Sequence, residues 1–262
     1  MISKFETLGF EIKDDLGFLT INRPAKLNAL NIQVLRELKD CLRELQSESI
    51  KGLVVTGEGE KAFIAGADIA EMRPMATPEA KAFSELGQQV TLLFENLPYP
   101  TLAAVNGFAL GGGFEMALSC DFIFATKNAV FGLPEVKLGL IPGFGGTQRL
   151  ARVVGLSRAK ELMFSGRNVM SDEAKSLGIA LEVFENKSAL LEGVQNWFKM
   201  ALQNSTYAIS RAKLSLQQGY EENLVKGLEL EKNEFGNLFS SYDMQEGTAA
   251  FIEKRKPLFK GK

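Results

Sequence analysis

The sequence contains no histidine. That excludes serine–histidine and cysteine–histidine nucleophile pairs and every metal site built on imidazole. Cysteine is almost absent too. Cys41 and Cys120 are the only two, too few for a four-thiolate site, and a reducing compartment is expected for them. No apolar run approaches the roughly 18 to 20 residues that a membrane span needs. Neither charge is in excess: 30 Lys and Arg stand against 32 Asp and Glu, a formal net charge of -2, so no basic field draws nucleic acid. There is no GxGxxG fingerprint and no GxxxxGK[ST] loop to cradle a nucleotide phosphate. The start, "MISKFETLGFEIKDD", has no apolar stretch followed by a small-residue cleavage site, so no secretion signal is expected. Acid–base chemistry near neutral pH is left to Asp, Glu, Lys, Tyr or Cys. Carboxylates come first, because burial raises their pKa towards neutrality.

The 262 residues, 45% of them hydrophobic, suffice for a sizeable core. "FEIKDDLGFLTINRP" predicts a hairpin around Asp14-Asp15-Leu16-Gly17, with Gly17 at the positive-φ position. "NIQVLRELKDCLRELQS" predicts a helix capped by Asn31 and buried through Val34, Leu35, Leu38, Leu42 and Leu45. "KGLVVTGEG" and "PTLAAVNG" predict buried strands, and "DFIFATKNAVFG" two short ones. This strand–helix alternation predicts an α/β fold with parallel pairing. After about residue 156 the texture is helical, with a strand signal only near "GIALEVFE". The expected organisation is an α/β core over 1–195 and a helical C-terminal region over 196–262, with no Pro/Ser-rich linker between them.

Three glycine-marked stretches stand out. In "GFALGGGFEMALSCD", Gly111-Gly112-Gly113 run into Glu115 between apolar flanks, whereas flexible linkers are usually polar. Glycine at a buried strand-to-helix turn signals close backbone approach. The free N–H groups and dipole of a helix start favour negative charge there. Glu115 falls in the first helical turn, either as a charge complementing the dipole or as an acid–base group. In "EKAFIAGADIAEM", Asp68 reads as a helix cap. In "FGLPEVKLGLIPGFGGTQRL", Pro134 stiffens the chain before Glu135, and Gly143, Gly145 and Gly146 form a tight turn before another helix.

Together these stretches, with "INRPAKLNAL" and the terminal "EGTAAFIEKRKPLF", resemble the enoyl-CoA hydratase/isomerase (crotonase) superfamily, and within it the short-chain enoyl-CoA hydratases. Each piece is weak alone; the ordered set covers almost the whole chain. The resemblance implies a spiral of ββα repeats with C-terminal helices that build trimers pairing into hexamers. It implies reversible addition of water to a trans-2-enoyl-CoA, giving 3-hydroxyacyl-CoA, in fatty-acid β-oxidation or a related pathway. It implies that Ala67 and Gly112 donate backbone N–H groups to the thioester oxygen, and that Glu115 and Glu135 hold the attacking water and exchange a proton with the α-carbon. No metal is implied, and no cofactor beyond the CoA of the substrate. CoA contacts are implied along Ala65, Asp68, Ile69 and Ala70, at Lys26, and, from a neighbouring subunit, at Phe251 and Lys254. Hydratases often carry a lysine just after GADI; here Ala70 stands in its place, a departure that bears on one contact with phosphate or adenine.

The same superfamily hosts Δ3-Δ2-enoyl-CoA isomerases, which commonly keep one of the two acids, and some members that bind RNA. Both acids are present here, and the only dense basic run is C-terminal, which favours hydration of an acyl-CoA without nucleic-acid or membrane partners. Residues 73–99 are expected to line the acyl pocket. The expected location is the bacterial cytoplasm, with a processed mitochondrial matrix form as the alternative.

Overall fold

A computed structural model describes residues 4–262. Two antiparallel strands, β1 (Leu8–Lys13) and β2 (Leu16–Ile21), open the fold. Their turn corrects one expectation. The positive φ angles belong to Asp14 (50°) and Asp15 (65°), not to Gly17. This is the handedness a two-residue hairpin loop requires, and aspartate tolerates it. Gly17 lies inside β2, where a Cβ would stand 2.8 Å from the Ile50 side chain. Helix α1 (Ile32–Leu45) follows, and the Asn31 side chain caps it by accepting from the Val34 N–H at 2.9 Å. All five residues of the predicted apolar stripe are buried.

The chain then repeats a strand–strand–helix unit. The first repeat is β3 (Gly52–Gly57), β4 (Ala62–Ile64), α2 (Ile69–Met72) and α3 (Thr77–Glu95). The second is β5 (Thr101–Val105), β6 (Phe108–Leu110) and α4 (Gly112–Leu118). The third is β7 (Phe122–Thr126), β8 (Val130–Gly132), a 3-10 helix over Pro134–Leu138, α5 (Gly146–Val154) and α6 (Leu156–Ser165). A reduced last turn supplies β9 (Val169–Met170), α7 (Ser171–Ser176) and β10 (Glu182–Phe184). In the three full repeats the first strand joins one sheet, ordered β1-β2-β3-β5-β7-β10, and the second strand joins another, ordered β4-β6-β8-β9. Pairing is parallel except for β1 with β2 and β8 with β9. β3 and β5 are buried along their whole length, as expected of parallel strands covered on both faces. Phe114 of α4 stacks on Phe131 of β8 with ring centroids 5.3 Å apart, tying α4 to the smaller sheet.

Two compact units are distinguished, residues up to 97 with 101–195, and residues 98–100 with 196–262. Helix α8 (Lys187–Ala201) runs across the second boundary. In the second unit, α9 (Thr206–Tyr220) and α10 (Leu224–Leu238) pack together where Gly219 meets Gly227. Neither helix has a fully buried residue. Leu216, Leu224, Val225 and Phe235 are exposed. In α11 (Tyr242–Ile252), the buried Asp243 accepts from Ser205 Oγ at 2.6 Å and from the N–H groups of Lys260 and Gly261 at 2.7 and 3.0 Å. The last residues are thereby folded back onto α11. No helix among the described residues is long and apolar enough to cross a membrane.

Candidate active site

The neighbouring parallel strands β4 and β6 each end in a glycine turn. Gly66 follows β4 with φ 114°, and Gly111 follows β6 with φ 49°. Because the strands are paired, the turns lie side by side. A Cβ on Gly111 would stand 3.9 Å from Gly66 Cα, and one on Gly66 would stand 3.3 Å from the Leu110 carbonyl oxygen. Only glycine combines these torsions with this approach.

The residue after each glycine is one of the expected amide donors. Ala67 forms a parallel bridge with Leu30. The Leu30 N–H donates to the Gly66 carbonyl at 2.8 Å, and the Asp68 N–H donates to the Leu30 carbonyl at 2.7 Å. This fixes the backbone on both sides of Ala67 and leaves its own N–H unpaired. Gly112 is the first residue of α4, where N–H groups have no intrahelical acceptor. Among the described residues neither the Ala67 nor the Gly112 N–H has a hydrogen-bond partner. Two unpaired donors at adjoining turns, one of them on a helix N-terminus, favour negative charge on an oxygen placed between them.

Glu115 sits in the first turn of α4 and is 1% exposed. Its side chain turns towards the glycine-rich loop before α5. There Oε1 accepts from the Phe144 and Gly146 N–H groups, each at 2.7 Å. Gly146 makes this possible, since a Cβ there would stand 3.0 Å from Glu115 Cγ and Oε1. Burial raises the Glu115 pKa, while the two amides and the nearby Arg149 charge hold it back.

Glu135 opens the 3-10 helix behind Pro134. Its Oε1 occupies the space a Gly111 side chain would take, 2.8 Å from the ideal Cβ position. Its Oε2 is buried with no partner among the described residues. Burial pushes the Glu135 pKa up to about 7; hydrogen bonding to its own backbone N–H opposes this, and the Glu115 charge adds to the rise. The carboxylates are electrostatically coupled, and one of them touches a turn that carries an unpaired amide.

The remaining expected residues divide in two groups. Lys26 is exposed at the end of a 3-10 helix, and the adjoining Leu27 carbonyl accepts from the Ala65 N–H at 3.1 Å, so the Lys26 loop and the AGADI segment are brought together. Ile69 and Ala70 are exposed on that segment. Asp68 takes the N-cap position of α2 without capping through its side chain. Instead it pairs with Arg23 at 3.4 Å, which corrects the sequence expectation. Arg23 also donates to the Ala29 carbonyl at 2.6 Å. Phe251 and Lys254 belong to the second unit, at the end of α11, and Phe251 is 85% exposed. Residues 77–95 of the expected pocket-lining segment form α3. No three Cys, Asp or Glu side chains among the described residues converge as metal ligands would.

Sequence reading missed the partners that orient Glu115. The Phe144 and Gly146 donors are peptide groups, and side-chain identity carries no trace of them. The spacing of Gly143, Gly145 and Gly146 was the available signal.

The family model for enoyl-CoA hydratase/isomerase matches residues 11–262. The chain belongs to this family, and its fold is the crotonase fold. It is 43% identical to a short-chain-enoyl-CoA hydratase of Clostridium acetobutylicum over 247 residues, 94% of each chain. It is 41% identical to a crotonyl-CoA hydratase of Syntrophomonas wolfei over 256 residues, 97% of this chain and 98% of the relative. The crystal structure of an enoyl-CoA hydratase from Bacillus anthracis superposes with a TM-score of 0.94 at 36% identity, covering 98% of this chain and all of that one.

Proposed function

We propose that this chain is an enoyl-CoA hydratase whose water is held between Glu115 and Glu135 while the thioester oxygen rests on the Ala67 and Gly112 N–H groups. The observation that carries the reading is the coupled pair of carboxylates, Glu115 buried and Glu135 half-buried, beside two adjoining turns with unpaired amides. Two N–H donors favour the ionised form of Glu115, and the unpartnered Oε2 of Glu135 favours a protonated one. The coupled pair then shares one proton near neutral pH, lodged on Glu135.

This assignment sets the chemistry. Glu115 takes a proton from water as its oxygen bonds to the β-carbon. The electron pair of the double bond moves to the α-carbon and the thioester, and the two amides stabilise the enolate-like oxygen. Glu135 delivers its proton to the α-carbon. The product is the 3-hydroxyacyl-CoA, and solvent exchange returns the proton from Glu115 to Glu135. CoA travels with the substrate, and no further cofactor is required. The exposed loop of Lys26 and the AGADI segment would receive the CoA portion, joined by Phe251 and Lys254 of a neighbouring subunit. Self-association into trimers, pairing as hexamers, would cover the apolar side chains exposed on α9 and α10. The role is in fatty-acid β-oxidation or a related acyl-CoA pathway of the cytoplasm.

The test is loss of the conjugated thioester absorbance of crotonyl-CoA by wild type, Glu115→Gln and Glu135→Gln, with folding checked by circular dichroism. Rapid loss in wild type and collapse in both variants is expected. An inactive wild type that still binds acyl-CoA would overturn the hydratase assignment.

A further inference from the structure

The loop that holds Glu115 is itself held from behind. Phe144 is gripped at both ends of its residue: its N–H donates to Glu115, and its carbonyl accepts from Arg149 Nη1 at 3.0 Å and Thr91 Oγ1 at 3.1 Å. Arg149 lies in the first turn of α5, with 14% of its side chain exposed. Glu95, at the end of α3, fixes the guanidinium through two parallel contacts, 2.6 Å to Nε and 3.0 Å to Nη2. A fork–fork pair of this kind sets orientation as well as charge. Gly145, at φ 111°, leaves the space for it, since a Cβ there would collide with Arg149 Nη1. The preceding carbonyl, of Gly143, is held by Ser84 Oγ at 2.6 Å and Gln88 Nε2 at 3.1 Å, both from α3. Side chains of α3 and α5 thus fix the peptide groups that fix the carboxylate.

We propose that Arg149, oriented by Glu95, is a positioning residue for Glu115: it clamps the Phe144 carbonyl so that the Phe144 and Gly146 N–H groups stay on the carboxylate, and it sets a fixed positive charge behind that carboxylate. The inference rests on Glu115 being the proton acceptor from water. The charged groups arranged around Glu115 are Glu135 from the 3-10 helix, Arg149 from α5 and, beyond Arg149, Glu95 from α3. Arg149 favours the ionised form of Glu115, Glu135 is neutral while it holds the shared proton and feels the Glu115 charge in turn, and Glu95 tempers Arg149.

The two halves of the pair therefore act on Glu115 with opposite sign. Arg149→Met removes the favourable charge and the carbonyl clamp. Glu95→Gln removes the compensating negative charge and one half of the fork, and its amide oxygen still accepts from Nε to keep Arg149 behind Glu115. A purely structural ion pair would respond alike to either substitution. The experiment is kcat and KM for crotonyl-CoA across pH for wild type, Arg149→Met, Arg149→Lys and Glu95→Gln, with melting temperatures. In parallel, a carboxyl-carbon NMR titration of glutamate-labelled protein is run, with the Glu115 signal identified by its loss in Glu115→Gln. For Arg149→Met, kcat should fall about 10²-fold, the cost of a small misplacement of a reacting group, with KM little changed. The acid limb of kcat/KM and the Glu115 titration should move to higher pH. For Glu95→Gln both should move to lower pH. Arg149→Lys, which keeps the charge and loses the fork, should keep the wild-type limb with an intermediate kcat.

Limbs and titrations that stay put, or that move the same way in both variants, would overturn the positioning role even with an active wild type. An inactive wild type would instead refute the hydratase reading. In that case the NMR titration still decides whether Arg149 and Glu95 govern the Glu115 charge.

Discussion

The two segments that carry the acids solve the same burial problem in opposite ways. The first turn of α4 offers Glu115 to a loop that returns two amide donors to one of its oxygens. The 3-10 helix over Pro134–Leu138 half-buries Glu135 beside a glycine and leaves its buried Oε2 without a donor among the described residues. Desolvation raises both carboxyls, but only the first is compensated by hydrogen bonds from a neighbouring element. On the proposed assignment, two identical side chains become a base and an acid because the backbone around them differs, not because their chemistry does.

The sharpest way to break this asymmetry is to neutralise one acid at a time. Glu115→Gln and Glu135→Gln should each lower kcat by about 10²–10⁴-fold, the range for a positioned acid–base group. Should one variant retain wild-type turnover, the two-acid assignment fails. A gentler approach leaves the acids and moves their seats. Gly146→Ala places a methyl 3.0 Å from Glu115 Oε1, and Gly111→Ala places one 2.8 Å from Glu135 Oε1 on a backbone that disfavours it. Each should cost about 10²-fold in kcat by misplacing a reacting group. The Gly111 variant should lose stability as well, by roughly 1–3 kcal/mol for the strained torsion. Equal melting temperatures for the two alanine variants would count against the turn geometry.

The pH profile comes next in size. With the shared proton on Glu135, kcat/KM for hydration should fall as pH rises through about 7, where Glu135 ionises. A profile flat from pH 6 to 9 would contradict the raised pKa. The smallest effect is thermal. Between the ordinary value of 4.5 and about 7, the unfolded chain has released the Glu135 proton while the folded chain keeps it. Stability from this group is therefore full below pH 4.5 and declines as pH rises to about 7. Glu135→Gln should melt above wild type at pH 8 and level with it at pH 4. A difference that is equal at both pH values would show that the burial of charge is not its cause.

Much of this architecture could be read from residue patterns, and the reason differs by element. The α1 stripe was legible because helical spacing and an Asn31 cap are local signals. The hairpin is legible, but residue type points to Gly17 for the positive φ, whereas the turn uses two aspartates whose short side chains tolerate that region. The strand β9 is only two residues long and carries no period. At the site, Glu115 and Glu135 stood out through their glycine and proline neighbours and through family resemblance. Their inequality did not, because it depends on Phe144 and Gly146 amides 29 and 31 residues from Glu115. The Arg23 pairing of Asp68 was equally hidden, being 45 residues distant.

The turns after Gly66 and Gly111 have a consequence for how such a site changes over generations. Their donors are peptide N–H groups, present whatever side chain stands at Ala67. Random substitution can erase a carboxylate in one step but can erase an amide only by introducing proline or by deforming two paired strands. On the proposed assignment, the amide half of the centre is therefore mutationally durable and the carboxylate half is labile. A chain that lost or relocated the two acids would still keep two unpaired amides side by side at these turns.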